Sequence, residues 1–357
     1  MIDNNKVLKS LLFSATIIAL FFTSCAKEKE PTSREIQERI LDAYIAEHYP
    51  NAEKLSSGLT IIELDKGTGE LIKDDEGVYI HYDTYTFDGV CQSTTDSLLA
   101  KDLGTFSKSK YYGPTLFVVN ENYSTKGMLE LLKLVGKGGH VKAIIPPWLN
   151  VQTSSQNTVQ ESSSSIIYDV TIEDIVEDIT QYQIDNIESY ASRYFPPKID
   201  SLSFGFYLKN FTHPNGIADK DTIKADTYVN IWYIGRLLDG YIFDTNIKDS
   251  AKKFGIYNSS DDYSPLYIKM LATAKNMNET QNSGEDGTSL ILGFCMALKN
   301  MTIGDHATAL FMSGLGYGSE GTLSGGVGVP WYSPLRFDIW LAEATDSSFP
   351  PANFDGE

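Results

Sequence analysis

The chain is poor in the residues that build metal and thiol chemistry. Of its 357 residues only three are cysteine and five are histidine. The histidines are scattered, without a His-Glu-x-x-His or other ligand spacing, and neither Cys91 nor Cys295 belongs to a Cys-x-x-Cys pair. No metal and no cofactor is therefore expected. Positive charge is scarce as well: 47 Asp and Glu against 29 Lys and Arg leave a net charge of −18. Such a surface repels phosphate backbones, which argues against nucleic acid as a partner. Gly316-x-Gly318-x-x-Gly321 has the spacing of a dinucleotide turn, but TLSGGVGVP follows it and cannot start the helix that would hold a pyrophosphate. The run YGSEG is also one glycine short of a nucleophile elbow.

The chain does have an apolar run near its start. Lys6 and Lys9 precede LLFSATIIALFF, and Thr23-Ser24-Cys25 follows. A basic start, a run of this length and small residues before a cysteine describe a secretory signal rather than a membrane span. The pattern resembles a bacterial lipoprotein signal, with Phe22 standing where Leu is more usual. That resemblance implies cleavage before Cys25 and a lipid on that cysteine. The alternative is an ordinary signal peptide cut elsewhere. The expected location is the envelope of a Gram-negative bacterium, lipid-anchored at the outer membrane, with the periplasmic or surface face left open. Cys91 and Cys295 fall in different halves of the chain and are expected as free thiols, Cys295 buried on a helix.

With 42% apolar and 12% aromatic residues the chain can bury two cores, consistent with ~150 residues per domain. It says most things twice. SREIQERILDAYIAEHY at 33–49, read from a Ser cap, has apolar groups at helical spacing and stops at Pro50. ITQYQIDNIESYASRYFPP repeats it, with Tyr190 placed before Pro196 as Tyr44 is before Pro50. Each helix is followed by a short strand, at 59–64 and 202–208. VYIHYDTYTFDG at 78–89 parallels VNIWYIGRLLDG at 229–240. GMLELLKLVGKGGHVKAII at 127–145 parallels GFCMALKNMTIGDHATALF at 293–311, and the closing strands lie at 166–174 and 335–343. Alternating runs bounded by Asp-Gly and Gly-rich turns read as antiparallel strands. Each copy has one short amphipathic helix, around 128–135 and 294–301. The expected fold is α+β, a bent antiparallel sheet wrapped around a short helix, twice. The expected organisation is a signal at 1–25, a tether and linker helix at 26–56, a first copy at 57–176 and a linker helix at 177–200. A second copy at 201–344, with an insertion at 245–290, and a loose tail at 345–357 complete it.

The second copy resembles the FKBP-type peptidyl-prolyl cis-trans isomerases. The motifs are Val229-Asn-Ile-Trp-Tyr-Ile-Gly-x4-Asp-Gly-x-x-Phe-Asp-Thr, Ile291-Leu-Gly-Phe-x-x-Ala-Leu-x-x-Met-x-x-Gly304 and Leu315-Gly-Tyr-Gly-x-x-Gly321. Val329-Pro330 and Ser333-Pro-Leu-x-Phe-Asp-Ile-x-Leu341 close the match. The resemblance implies catalytic roles for Tyr233, Phe243, Asp244, Tyr317 and Phe337. It implies substrate contacts from Leu290, Ile291, Phe294 and Val329, and from Leu266 or Tyr267 if SPLYIKM is the family's next strand. Phe294 would be the floor where many members have Trp, and Asp244 the only acid, holding the Tyr233 hydroxyl. Tyr317 would bond a carbonyl beside the bound proline. The implied partners are proline-containing unfolded or secreted polypeptides, and no step needs a cofactor.

Two departures stand out. The family usually has Pro early in the loop before its Tyr-Gly, whereas Met312-Ser313 stands there, which predicts a looser loop. In the first copy Gln92 and Ser93 take the places of Phe243 and Asp244, Met128 that of the aromatic floor and Val151 that of Tyr317. An unpartnered Gln in an apolar pocket would cost a few kcal/mol, so that copy is expected to have lost catalysis and to bind a protein, dimerise or act as a spacer. Trp148 is its most conspicuous candidate for an exposed contact. Two functions follow: an isomerase assisting folding in the envelope, or a non-catalytic module that binds peptides, glycans or partner lipoproteins.

Overall fold

A computed structural model describes residues 32–120, 124–153, 159–161, 164–196, 199, 201–213, 223–275, 277–280, 286–324 and 326–346. The stretch 1–25 expected as a signal, Cys25 included, lies outside them. The segment up to Pro50 forms a unit of its own. Its helix α1, Ser33–His48, is capped by Thr32 rather than by Ser33. The Thr32 hydroxyl accepts from the Glu35 amide at 3.3 Å while Glu35 accepts from the Thr32 amide at 2.6 Å, so each satisfies a donor that the first turn leaves open. Tyr44 packs on His48 at the other end, ring centroids 4.5 Å apart.

The rest of the described chain builds two large sheets whose principal strands share one topology, beside two small two-stranded ones, and the fold is α+β. The first has as principal strands β1 (Thr60–Asp65), β2 (Gly77–Tyr85), β3 (Cys91–Thr94), β4 (Thr115–Val118), β5 (His140–Ile145) and β6 (Ile166–Val176). They run in the order β1-β5-β6-β2, and β3 and β4 both pair with β2. The second has β7 (Phe206–Asn210), β8 (Tyr228–Leu237), β9 (Ile242–Thr245), β10 (Leu266–Lys269), β11 (His306–Phe311) and β12 (Leu335–Glu343), in the order β7-β11-β12-β8 with β9 and β10 both on β8. All pairs are antiparallel.

Two helices occupy equivalent places in each copy. Ser97–Asp102 (α2) follows β3, and Lys126–Leu132 (α3) lies on the first sheet's core. After the linker helix α4 (Ile179–Tyr194) come Lys248–Phe254 (α5) behind β9 and Leu292–Lys299 (α6) on the second core. Helix α5, which lies inside the stretch expected as an insertion at 245–290, is thus part of the repeated unit, not an addition to it. The signal for α2 was present in Asp96, whose carboxylate accepts from the Leu98 amide at 2.7 Å. What the second copy does add is a pair of strands, Asn278–Thr280 and Asp286–Ser289, that extends the sheet beyond β10.

Alternation along β8 sets two layers. Val229, Ile231, Tyr233 and Leu237 face the core that α6 covers, while Trp232 and Ile234 pack on the other face with Ile242, Ile247 and Trp340. Glycine is required where α6 crosses β11: a Cβ on Gly293 would lie 2.5 Å from the Phe311 ring. Gly127 meets Ile145 in the same way in the first copy, at 2.4 Å.

Linker helix α4 starts at Asp178, whose carboxylate accepts from the Gln181 amide at 2.9 Å. It buries Ile187 and Ala191, with Phe195 beyond its end, against Tyr207 and Leu310 of the second sheet. Burying Ile187 and Phe195 contributes ~1.5–3 kcal/mol each. Beneath it lies a charge cluster. Asp338, fully buried, accepts from Arg336 at 2.9 and 3.1 Å and from the Thr308 hydroxyl at 2.5 Å, and pairs with Arg236 at 2.8 Å. Arg336 also donates to the α4 tyrosine Tyr190 at 2.7 Å. Among the described residues no helix is long and apolar enough to cross a membrane. Cys91 and Cys295 are free thiols, Cys295 buried.

Candidate active site

A cavity of about 310 Å³ opens in the second copy, lined by Tyr233 of β8, Asp244 of β9, Leu266 of β10 and Phe337 of β12. Leu290, Ile291 and Phe294 at the start of α6, and Tyr317 from the loop after β11, close its other sides. Phe294 sits edge-on to Tyr233 at 5.7 Å and to Phe337 at 5.3 Å, and Tyr233 to Phe337 measures 6.0 Å. Edge-to-face contacts of this kind hold rings in one orientation. Gly235 makes the box possible: a Cβ there would lie 2.8 Å from Phe243 and 2.9 Å from Phe337.

The Tyr233 hydroxyl donates to Asp244 Oδ2 at 2.7 Å. Burial, then the Asp244 charge, pushes the Tyr233 phenol well above its ordinary value. Burial likewise pushes Tyr317 up to about 12, with the Asp244 charge adding to it. Both phenols are therefore protonated donors at neutral pH. Crowding by the surrounding rings raises the Asp244 carboxyl, opposed by the Tyr233 hydrogen bond. Its side chain remains open to water at the rim, which limits that rise.

Most of the residues expected from the motifs come together here, with differences. Phe243 stands behind the wall, edge-on to Tyr317 at 6.0 Å and to Phe337 at 5.7 Å. Val329 is not on the wall: it is 1% exposed and packs into the core, its amide donating to Thr322 Oγ1 at 2.9 Å. Leu266 rather than Tyr267 faces the cavity; Tyr267 stacks on Tyr228 at 5.1 Å. Asp244 is not the only acid, because the added strands bring Glu279 and Ser289 to the cavity. Glu279 stands opposite Ile268 in a pairing that the polar insertion does not advertise in sequence.

The loop before Tyr317 is not loosened by the absence of proline. Ser313 uses the amide that a proline lacks, donating to the linker-helix side chain Gln183 Oε1 at 2.7 Å, with both residues buried. The Ser313 carbonyl then accepts from Gly316 and Gly318 on either side of Tyr317, both at 2.8 Å.

Strand register fixes the matching positions in the first copy. Ser93 faces Thr84 as Asp244 faces Gly235, and Thr115 faces Ile80 as Leu266 faces Ile231. Three positions that are Phe, Asp and Leu in the second copy are thus Gln92, Ser93 and Thr115 in the first. Met128 is buried at the floor position. Trp148 does not stand out as a free contact: its Nε1 donates to the Ser57 carbonyl at 2.9 Å and its ring packs against the first core.

Comparison with known proteins adds to this geometry. Residues 219–342 match the model of the FKBP-type peptidyl-prolyl cis-trans isomerase family. The FKBP-type peptidyl-prolyl cis-trans isomerase FkpA of Buchnera aphidicola is 28% identical over 127 residues, 36% of this chain and 46% of that protein. The chain thus spans less than half the length of that curated relative. Among solved structures, FkpA from Escherichia coli is 20% identical at a TM-score of 0.29, covering 49% of this chain and 74% of that one. The three FKBP domains of wheat FKBP73 are 16% identical at a TM-score of 0.27, covering 81% of this chain and 95% of that one. The motifs and the family match coincide on one stretch, and over residues 219–342 this chain is similar to the FKBP-type peptidyl-prolyl cis-trans isomerase family.

Proposed function

We propose that the second copy catalyses rotation about X-Pro peptide bonds, and that the protein assists polypeptide folding in a bacterial cell envelope, held to the membrane through Cys25. The observation that carries the catalytic reading is the aromatic box with two protonated phenols, Tyr233 and Tyr317, beside a single cavity. Rotation breaks no bond, but it must pass a barrier of about 18–20 kcal/mol because twisting removes amide resonance. The twisted amide is less delocalised than the planar one and gains more from a dry, apolar enclosure, which is the differential binding that lowers a barrier. Phe294, Phe337 and Ile291 hold the prolyl ring, while the Tyr317 hydroxyl donates to a carbonyl next to it. Asp244 orients Tyr233 and polarises the rim. The substrates are proline-containing unfolded or secreted polypeptides.

The test is cis-to-trans relaxation of a Leu-Pro peptide with the chain lacking residues 1–25. Acceleration that falls in Tyr317→Phe and Asp244→Val, with thermal stability held, supports the reading; no acceleration by the intact chain ends it. A second reading, peptide capture without turnover, draws on Glu279 and Ser289, which carry the added strands to the cavity. It predicts saturable peptide binding with no change in relaxation rate.

A further inference from the structure

The first copy also has a groove, of about 460 Å³, in the place that the cavity takes in the second. Tyr82, Ser93, Thr115 and Phe117 line it, and register matches the first three to Tyr233, Asp244 and Leu266. Leu323, Gly326 and Trp331, all from the Gly-rich loop of the second copy, stand against it. The contacts are specific. The Tyr111 amide donates to the Gly326 carbonyl at 2.7 Å, and Trp331 lies on Phe117 with centroids 5.3 Å apart. The Tyr241 hydroxyl, at the next hairpin, donates to the Ser109 carbonyl at 2.7 Å, and its ring meets Tyr111 edge-on at 5.3 Å.

The docked loop is coupled to the turn that carries Tyr317. Thr322 donates to the Val329 carbonyl at 2.7 Å and closes the loop on itself, with Ser324 donating to Val327 at 2.8 Å inside it. Gly321 donates to the Tyr317 carbonyl at 3.1 Å, and Tyr332 donates to that of Gly318 at 3.2 Å. A glycine-rich loop is costly to order from within, since glycine loses more backbone freedom than any other residue. Contacts from outside the copy offset that cost.

We propose that the first copy has exchanged a proline site for an intramolecular docking site: its groove holds the 322–331 loop and thereby keeps the Tyr317 turn over the second copy's cavity. Tyr111 and Phe117 are then positioning residues for Tyr317, acting without touching a substrate. The functional consequence rests on reading the cavity as a peptide site; the docking itself does not.

The experiment uses the chain without residues 1–25 and the variants Phe117→Ala, Trp331→Ala and the double variant. Two readouts are taken: hydrogen exchange of the 319–332 segment by mass spectrometry, and the Kd of a fluorescent Leu-Pro peptide. Each single variant is expected to raise exchange in 319–332 while β11 stays protected. Each weakens the peptide about threefold to tenfold, the range set by one aromatic pair. The double variant adds little to either single one, because both remove the same contact. Unchanged exchange in 319–332, or losses that simply add, overturns the proposal. If Phe117→Ala does not fold, Trp331→Ala alone decides by the same criterion. A wild-type chain that binds no peptide defeats the proline-site reading and leaves the exchange result to judge the docking.

Discussion

The Gln183–Ser313 hydrogen bond allows a cycle of substitutions with a defined outcome. Gln183 is 3% exposed and Ser313 is 5% exposed, so neither partner has water to fall back on. Replacing the amide by a side chain of similar size, Gln183→Leu, leaves the Ser313 amide buried and unsatisfied. Such a group costs about 1–3 kcal/mol, which at about 2–4 °C per kcal/mol for a unit of this size is a fall in Tm of roughly 2–12 °C. Removing the donor as well reverses the sign of the second step. Ser313 opens a short 3-10 turn after Met312, whose φ of −67° and ψ of 159° place it in the extended region that precedes proline readily. Ser313→Pro in the Gln183→Leu background therefore recovers at least half of the loss, because both unsatisfied groups are gone. Urea unfolding of the four proteins measures the coupling. A Gln183→Leu variant within about 0.5 kcal/mol of wild type, or a double variant worse than the sum of the singles, refutes the reasoning.

Three further outcomes are expected. Asp338→Leu removes the carboxylate that both arginines share and lowers stability by about 3–5 kcal/mol, read from urea midpoints; a loss below 1 kcal/mol contradicts the buried cluster. Gly293→Ala drives a methyl into the Phe311 ring, 2.5 Å away; it costs about 1–3 kcal/mol and disturbs the Phe294 floor, seen as weaker peptide binding alongside a lower Tm. His306 stacks between Trp340 at 4.5 Å and Phe211 at 4.8 Å, and burial holds its imidazole below the ordinary 6.5. The unfolded chain thus takes up the proton first: this contribution to stability is complete above about pH 6.5 and is lost as pH falls towards the depressed folded value. The difference in urea midpoint between pH 7.5 and 5.5 is therefore smaller in His306→Phe than in wild type, and an equal difference counts against it.

The repeat was legible because each copy spends the same local signals in the same order: a capped helix, a strand ending in Asp-Gly, a short amphipathic helix and a glycine before the next strand. Most of the cavity was legible too, since Tyr233, Asp244, Phe294, Tyr317 and Phe337 sit in motifs whose spacing survives in one chain. Val329 was misplaced because an apolar residue before proline reads alike whether it faces a cavity or the core. Glu279 and Ser289 were missed because their position depends on how a polar insertion pairs with β10, which no local period encodes. Gln183 and Trp331 were missed for a related reason: their partners, Ser313 and Phe117, lie far away in sequence, and a lone Gln on a helix reads as solvated.

The buried cluster of Arg236, Arg336 and Asp338 has a consequence for portability. It carries one more positive than negative charge, and its cover is Tyr190 and Phe195, contributed by residues that precede the second sheet. A graft that begins at residue 201 moves the whole cavity to a new host but leaves that cover behind, wetting the Arg336 guanidinium. The transplantable module is set by where the charge is sealed, not by where the sheet starts, and its first residue is the cap of the linker helix, Asp178.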